Sequence, residues 1–232
     1  MGAAGDANKA PWLLAIDAST EQASLALFNG VATAEIGWPA GRNQTTTLLT
    51  EIVRLAALAG CNIRSDLGCV AVAAGPGMFN GLRVGMSVAK GFVLANGVAL
   101  IGVPTLAIAA HPFTGSGRPV VAVAAAGRKR VLWQRFDTNS FLPSNAPINS
   151  VFDELCAFLG ALETPAILTG ELSVVQWAAL TDYSNVISAP APAHLRRAGS
   201  LAAIGWERWR RGEIDDPIAL EPVYLHANAT IA

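Results

Sequence analysis

The apolar positions near the start of the chain fall into short runs of the length of a β-strand. Residues 12–16 are a continuous apolar run that predicts a buried strand. Residues 23–28 and 31–36 predict two further strands, and Asn29-Gly30 between them is a strong hairpin signal. We therefore expect the fold to open with three strands, the last two paired as a hairpin.

Two helical patterns and a strand follow this opening. In residues 45–59 apolar side chains recur at three- and four-residue spacing, which predicts an amphipathic helix that ends at Gly60. Residues 69–74 predict a buried strand, which ends in the turn Gly75-Pro76-Gly77. Residues 79–96 then predict a second, longer helix.

The second helix has an unusual face. Gly81, Gly85 and Ala89 recur every four residues, so that one face of the helix carries almost no side chain. Such a face allows another backbone to pack closely. The spacing alone favours an internal helix that packs within its own α/β sheet. A family resemblance described below leads us instead to expect that this face is exposed, together with Met78, Phe79 and Met86, and is open to a partner, with ordinary core packing inside a monomer as the alternative.

The second half of the chain repeats the order of the first, which predicts an α/β protein of two similar lobes. We place the first lobe at residues 10–105, completed by the C-terminal segment 214–232, and the second lobe at residues 106–213. The remaining predicted strands are 98–103, 120–126, 131–136, 166–169 and the tail 222–225, and the remaining predicted helices are 151–159, 172–180 and 198–211.

The composition limits the possible binding partners and indicates the cellular compartment of the protein. The formal net charge is −1 and 14% of the residues are charged, so there is no polybasic field for direct binding of nucleic acid. Three widely spaced cysteines without a Cys-x-x-Cys pair favour a reducing compartment, and residues 1–9 lack the apolar core of a secretory signal. Residues 91–117 carry no charge, but Asn96-Gly97, Gly102 and Pro104 interrupt them, so we expect no membrane span and a cytoplasmic protein.

The sequence offers little for catalysis, and we expect no metal, no cofactor and no catalytic residue. No Gly-x-Ser-x-Gly motif is present, and Cys69 lies in an apolar run that predicts a core position. The cluster Arg128-Lys129-Arg130 suits a solvated hairpin turn, with a phosphate or RNA contact as the alternative. None of the histidines is spaced to share a helical turn with another, as a metal pair would require; they are His111, His194 and His226.

The segment that begins at Gly75 resembles the signature of the TsaB (YeaZ) family, which is grouped with the peptidase M22 or glycoprotease-like proteins. The matching pattern is Gly75-Pro76-Gly77-x-Phe79-x-Gly81-Leu82-Arg83-x-Gly85, followed by Ala89-Lys90-Gly91. Ile16-Asp17-x-Ser19-Thr20-x-x-x-Ser24 and Pro222-x-Tyr224-Leu225 are similar to the family as well, whereas Met78 and Asn80 stand where it usually has Ser and Thr. The resemblance implies the two-lobed superfold of actin, hexokinase and Hsp70, which is ribonuclease H-like.

The resemblance also implies a function. TsaB-like proteins are non-catalytic subunits that support TsaD, which forms threonylcarbamoyladenosine at position 37 of tRNA; a TsaE ATPase joins the same assembly. A homodimer is implied when TsaD is absent, and tRNA is reached only through the complex. The resemblance places the partner-binding surface on helices 45–59 and 79–96, and the expected contact residues are Leu48, Leu49, Ile52, Met78, Phe79, Gly81, Leu82, Gly85, Met86 and Ala89.

Asp17, Ser19 and Thr20 mark the end of the first predicted strand. In nucleotide-using members of the superfold this position is a phosphate loop, where a carboxylate holds metal-bound water. The equivalent strand of the second lobe ends in 124–127, which has no carboxylate, and of the Asp-Ala-Arg that the family often carries there only Arg128 matches. We therefore expect a vestigial phosphate loop. A small-molecule kinase or ATPase that uses Asp17 remains the alternative, as does a homodimer with a role outside tRNA modification.

Overall fold

The computed structural model describes residues 11–41, 43–127, 129–138 and 143–224, and its first half contains a five-stranded sheet. The strand order is β3-β2-β1-β4-β5; β1, β2 and β3 pair antiparallel, whereas β4 and β5 run parallel to β1. The predicted opening of three strands with a terminal hairpin is confirmed. The strands are β1 (Trp12–Asp17), β2 (Gln22–Phe28), β3 (Thr33–Pro39), β4 (Leu67–Gly75) and β5 (Ala99–Pro104).

A second five-stranded sheet repeats this topology. Its order is β8-β7-β6-β9-β10, again with an antiparallel set of three followed by two parallel strands. The predicted α/β architecture of two similar lobes is therefore confirmed. The strands are β6 (Val120–Ala125), β7 (Arg130–Phe136), β8 (Ile148–Val151), β9 (Ala166–Gly170) and β10 (Val186–Ser188), of which β8 and β10 were not predicted.

Helices cover both sheets. In the first lobe, α1 and α2 bury Leu48, Ile52 and Met86 against one face of the sheet. In the second lobe, α4 buries Leu155 and Leu159 against one face. The helices in the described ranges are α1 (Gln44–Ala59), α2 (Phe79–Asn96), α3 (Thr105–Ala110), α4 (Phe152–Gly160), α5 (Val174–Ala179) and α6 (Ala198–Arg210), and none of them is long and apolar enough to cross a membrane.

Helices α3 and α6 pack across the lobes. Helix α3 follows the last strand of the first sheet, yet its Leu106 and Ala110 belong to a core cluster of the second sheet. Helix α6 follows the last strand of the second sheet, yet its Leu201 and Ala202 pack against the first sheet around Leu13. The division at residues 105 and 106 stays a prediction, but α6, which we assigned to the second lobe, lies on the first sheet.

Local signals account for several element ends. Gly60 and Gly97 follow α1 and α2 with φ of 63° and 65°, a left-handed conformation that ends a helix. In the β2–β3 loop, the side-chain oxygen of Asn29 accepts hydrogen bonds from the backbone N–H groups of Val31 (3.1 Å) and Ala32 (2.8 Å). The hairpin signal at Asn29-Gly30 therefore marks a four-residue loop.

The predicted strand at 222–225 is not a strand over the described residues 222–224. A single backbone hydrogen bond ties it to the first sheet, from the N–H of Val223 to the carbonyl oxygen of Ala74 at 2.8 Å. Leu225 lies outside the described residues.

Candidate functional site

A cleft of about 390 Å³ lies between the lobes, where strands of both sheets end. The first lobe contributes Ser19 and Thr20, which follow β1, and the second contributes Gly127 and Glu171. Asp17, at the end of β1, lies beneath this surface with 2% of its area exposed. The structure therefore brings the predicted phosphate-loop residues together at the cleft, with the carboxylate buried.

Both oxygens of the Asp17 carboxylate are engaged within the chain. Oδ1 accepts hydrogen bonds from the backbone N–H of Ser19 at 2.9 Å and from the Ser19 hydroxyl. Oδ2 accepts a hydrogen bond from Nε of Arg196 at 3.0 Å. The first contact is the turn geometry that an Asp-x-Ser sequence favours, and the contact with Arg196 neutralises the buried charge.

Arg196 joins the two lobes at the base of the cleft. Its Nη1 donates to Oε1 of Glu171 at 2.9 Å and its Nη2 donates to Oγ of Ser19 at 3.0 Å, while the side chain is 3% exposed. Burial by itself lowers the pKa of this guanidinium, but Glu171 and Asp17 outweigh that effect and hold the pKa above its ordinary value. The cationic state of Arg196 is therefore fixed by one carboxylate from each lobe.

This arrangement limits what Asp17 can do as a metal or phosphate ligand. The Asp17 carboxylate accepts three hydrogen bonds from its own chain and is 2% exposed, so little of its acceptor capacity is open to a metal-bound water while Arg196 is in place. No group of three or more His, Cys, Asp or Glu side chains is placed to hold a metal ion within the described ranges. Local sequence reasoning missed Arg196 because it lies 179 positions from Asp17, with no motif around it.

The small-residue face of α2 is directed into the first lobe. A Cβ atom on Gly81 would lie 1.9 Å from the carbonyl oxygen of Ala18, and one on Gly85 would lie 3.6 Å from the Cβ of Ala18. Leu82, Met86 and Ala89 are at most 3% exposed. The expectation that this face is exposed is wrong, because the missing side chains admit the chain's own backbone at the end of β1.

Helices α1 and α2 nevertheless present apolar side chains to solvent. Of the predicted contact residues, Leu48 and Ile52 are fully buried, Met78 is half-buried, and Leu49 and Phe79 are 53% and 50% exposed. Other exposed apolar residues extend this set. We call the set the α1–α2 surface, and its members are Leu49, Val53, Leu58, Phe79 and Leu94. Partner binding by these residues stays a prediction.

The remaining candidate residues have structural surroundings. His194 stacks on Trp177, with ring centroids 4.0 Å apart, and burial lowers the pKa of His194. Cys69 is fully buried, as predicted for a core position, and burial raises the pKa of its thiol to about 12. Arg130 follows the β6–β7 turn and donates to Oδ1 of Asn149 at 2.8 Å, whereas Arg128 and His226 lie outside the described residues.

Comparisons with known proteins agree with this description. The family model of TsaD, tRNA N6-adenosine threonylcarbamoyltransferase, matches residues 39–163. The tRNA threonylcarbamoyladenosine biosynthesis protein TsaB of Escherichia coli is 28% identical over 93% of this chain and 95% of its own length. An uncharacterized protein of Mycobacterium tuberculosis is 31% identical over 74% of this chain and 70% of its own length.

Solved structures show the same fold. YeaZ from Pseudomonas aeruginosa superposes with a TM-score of 0.76 at 23% identity, covering 93% of this chain and all of the solved one. A second solved protein, described as similar to the peptidase YeaZ from Pseudomonas aeruginosa, gives a TM-score of 0.79 at 23% identity over the same coverage.

The repeated sheets and the cleft between them define a two-lobed α/β protein of the actin-like, ribonuclease H-like superfold. The TsaD model covers more than half of the chain, and the curated relatives include TsaB proteins. The chain therefore belongs to the family that the TsaD model describes, and within it to the TsaB (YeaZ) proteins.

Proposed function

We propose that this chain acts in the biosynthesis of threonylcarbamoyladenosine in tRNA as a non-catalytic subunit that binds a TsaD-like catalytic subunit. Its contribution is binding free energy that favours the productive conformation of that partner. A TsaE-like ATPase joins the assembly in the cytoplasm, tRNA is contacted only through the complex, and the chain forms a homodimer when the partner is absent. The family relationship supports the pathway, and the internal engagement of Asp17 supports the non-catalytic role.

The argument against catalysis starts from what a phosphotransferase of this fold requires. Both lobes must contribute a phosphate loop, because the metal-bound triphosphate is held from both sides of the cleft. In the first lobe, Arg196 engages the Asp17 carboxylate. In the second lobe, β6 ends in Ala124 and Ala125 without a carboxylate, and Glu171 beyond β9 is paired with the same arginine. Asp17 and Glu171 are thus both engaged with Arg196, whereas Glu21, which also lines the cleft, does not pair with this arginine.

The argument for docking rests on the α1–α2 surface. Five large apolar side chains on two neighbouring helices are between 50% and 81% exposed. Large apolar side chains that are exposed at the surface of a globular protein are candidates for an interaction site, and Leu49 and Val53 lie one turn apart on the same side of α1. The surface covers the two helices on which the family resemblance places the partner.

A double charge substitution tests this surface. We expect Leu49→Glu with Val53→Glu to weaken binding of the TsaD-like subunit at least about 100-fold, because two carboxylates would have to be desolvated in an apolar interface. Both side chains are more than half exposed, so the free energy of unfolding is expected to change little. Calorimetric titration of the purified partner gives the dissociation constant, and urea unfolding gives the stability.

The matched control is Val174→Glu, a residue that is 85% exposed on α5 of the second lobe. It adds the same type of charge at an apolar position on another face, and it is expected to bind as the unmodified chain does. Undiminished binding by the Leu49/Val53 variant would remove the α1–α2 surface from the proposal.

Titration with Mg-ATP tests the alternative hypothesis that the chain is a kinase or an ATPase. We expect no saturable heat at millimolar nucleotide, because Arg196 holds the carboxylate that would orient the metal. Tight one-to-one binding that disappears in Asp17→Asn would favour an enzyme of this superfold over a docking subunit.

A further inference from the structure

Arg83 is an exposed arginine on α2 whose guanidinium is nevertheless held in position. Its Nε donates a hydrogen bond to the hydroxyl of Tyr224 at 3.1 Å, and its Cζ lies 3.9 Å from the centre of the Phe79 ring. The rings of Phe79 and Tyr224 are themselves 5.0 Å apart. The two aromatic side chains therefore fix the plane of the guanidinium, and its two terminal nitrogens are left without a hydrogen-bond partner among the described residues.

The groove beside Arg83 carries unneutralised positive charge. It has a volume of about 370 Å³ and runs between α2 and residues 221–224, with Ser87 and Lys90 along the helix side. Helix α2 contains two cations and no acidic residue. Glu221 lines the opposite side, but neither cation forms an ion pair with it or with any other carboxylate in the described part of the chain.

We propose that Arg83 is the polar anchor of the partner interface and binds a carboxylate of an acidic side chain on the TsaD-like subunit, with Lys90 as the secondary contact. This inference rests on the proposed function. The free Nη1 and Nη2 form a planar fork that matches the two oxygens of a carboxylate. Because the guanidinium is already fixed by Phe79 and Tyr224, little further side-chain freedom is lost on binding.

The position of Arg83 connects it to the α1–α2 surface. Phe79, whose ring lies under the guanidinium, is a member of that surface and is 50% exposed. A partner that covers Phe79 therefore also covers Arg83, and removal of water strengthens the interaction between unlike charges. A charged contact at the edge of an apolar surface fixes the orientation in which the partner binds. Apolar contacts alone do not fix that orientation.

A protein carboxylate fits this groove better than an RNA phosphate. Binding along a nucleic-acid backbone uses many cations, whereas the groove offers two and the whole chain has a net charge of −1. The carboxylate of Glu221 on the opposite side further repels a strand of phosphates. A single carboxylate can instead lie against Arg83 at one end of the groove.

The test measures the affinity of the full chain for the TsaD-like subunit as a function of salt. We expect Arg83→Gln to weaken binding about tenfold to 100-fold at low salt. The affinity of the unmodified chain should fall as the salt concentration rises, and the affinity of the variant should depend much less on salt. Arg83→Met keeps the length and apolar bulk of the side chain and is expected to weaken binding equally. Tyr224→Phe removes the hydrogen bond but keeps the ring and the charge, and it is expected to lose no more than about threefold.

Arg211→Gln is the matched control. That side chain is 65% exposed at the end of α6, which packs against the opposite face of the first sheet, so its loss should change neither the affinity nor the salt dependence. Thermal unfolding of each variant confirms that the fold is retained.

The possible outcomes distinguish a failure of the proposed Arg83 contact from a failure of the proposed function. If the unmodified chain binds and Arg83→Met binds as tightly or more tightly, the interface is apolar at this point and the anchor is overturned while the proposed function stands. If Arg83→Gln weakens binding of tRNA by the assembled complex but not binding of the partner, the ligand is a phosphate and the anchor is likewise overturned. If the unmodified chain does not bind the partner, both the proposed function and the anchor are overturned.

Discussion

Replacing Arg196 with methionine is expected to lower the free energy of unfolding by about 3 to 5 kcal/mol, as found when one partner of a buried ion pair is removed. Methionine fills much of the same volume, so the loss is mainly electrostatic. Asp17, which is 2% exposed, would keep its charge with only the two Ser19 donors beside it. Glu171 is 27% exposed and can be rehydrated, so Asp17 carries most of the cost. Urea unfolding followed by circular dichroism measures the difference.

The neighbouring arginine provides the control. Arg197 pairs with Glu35 at 2.8 Å, but its side chain is 66% exposed, and Arg197→Met is expected to cost less than about 1 kcal/mol. Adding Asp17→Asn to the Arg196→Met chain is expected to recover part of the lost stability, since the unpaired charge is then absent. A loss below 1 kcal/mol in Arg196→Met, or no recovery in the double variant, would show that the cleft ion pair does not stabilise the fold.

Replacing Gly81 with alanine is expected to destabilise the protein by about 3 kcal/mol, although alanine is the better helix former. The added methyl group would lie 1.9 Å from the carbonyl oxygen of Ala18, which is backbone and cannot rotate away. Helix α2 must therefore shift from the end of β1, and the contacts of Leu82 and Met86 with the core shift with it. Urea unfolding gives this difference as well.

Two other glycines of the same helix give a graded comparison. A Cβ on Gly85 would meet its nearest neighbours at 3.6 to 3.8 Å, an ordinary contact distance, so Gly85→Ala is expected to be close to neutral. A Cβ on Gly91 has no neighbour within 4 Å, and Gly91→Ala is expected to stabilise the helix by about 0.5 to 1 kcal/mol. If all three variants had the same stability, the close approach of α2 to β1 would be refuted.

These glycines also show what the sequence could and could not reveal. The four-residue spacing of Gly81, Gly85 and Ala89 predicted a helix face adapted to close backbone packing, which the structure shows at Gly81, and the helix has the predicted bounds. The pattern does not identify the backbone that packs against this helix face. Close packing by another chain and by the end of β1 would both require small residues at the same positions. A larger side chain at Gly85, such as leucine, would therefore disturb the core rather than a partner interface alone.

The candidate site was predictable only where its residues are close in sequence. Asp17, Ser19 and Thr20 follow an apolar strand, and that position predicted their place at the end of β1. Glu171 and Arg196 come from two distant segments that meet only after both sheets have formed, and an arginine after a Pro/Ala loop looks like any exposed charge. The short edge strands β8 and β10 were missed for a related reason, because three or four residues carry too little periodicity to predict a strand.

The packing of α3 on the second sheet and of α6 on the first sheet has a consequence for folding. Each half of the polypeptide supplies a helix that covers the sheet of the other half, so a cut after α3 would separate Leu201 from the first sheet and Leu106 from the second. Neither piece then keeps all the helices that cover its own sheet, so we expect neither to fold independently. With each lobe completed by a helix from the other half of the chain, the protein is expected to unfold in one cooperative step rather than lobe by lobe.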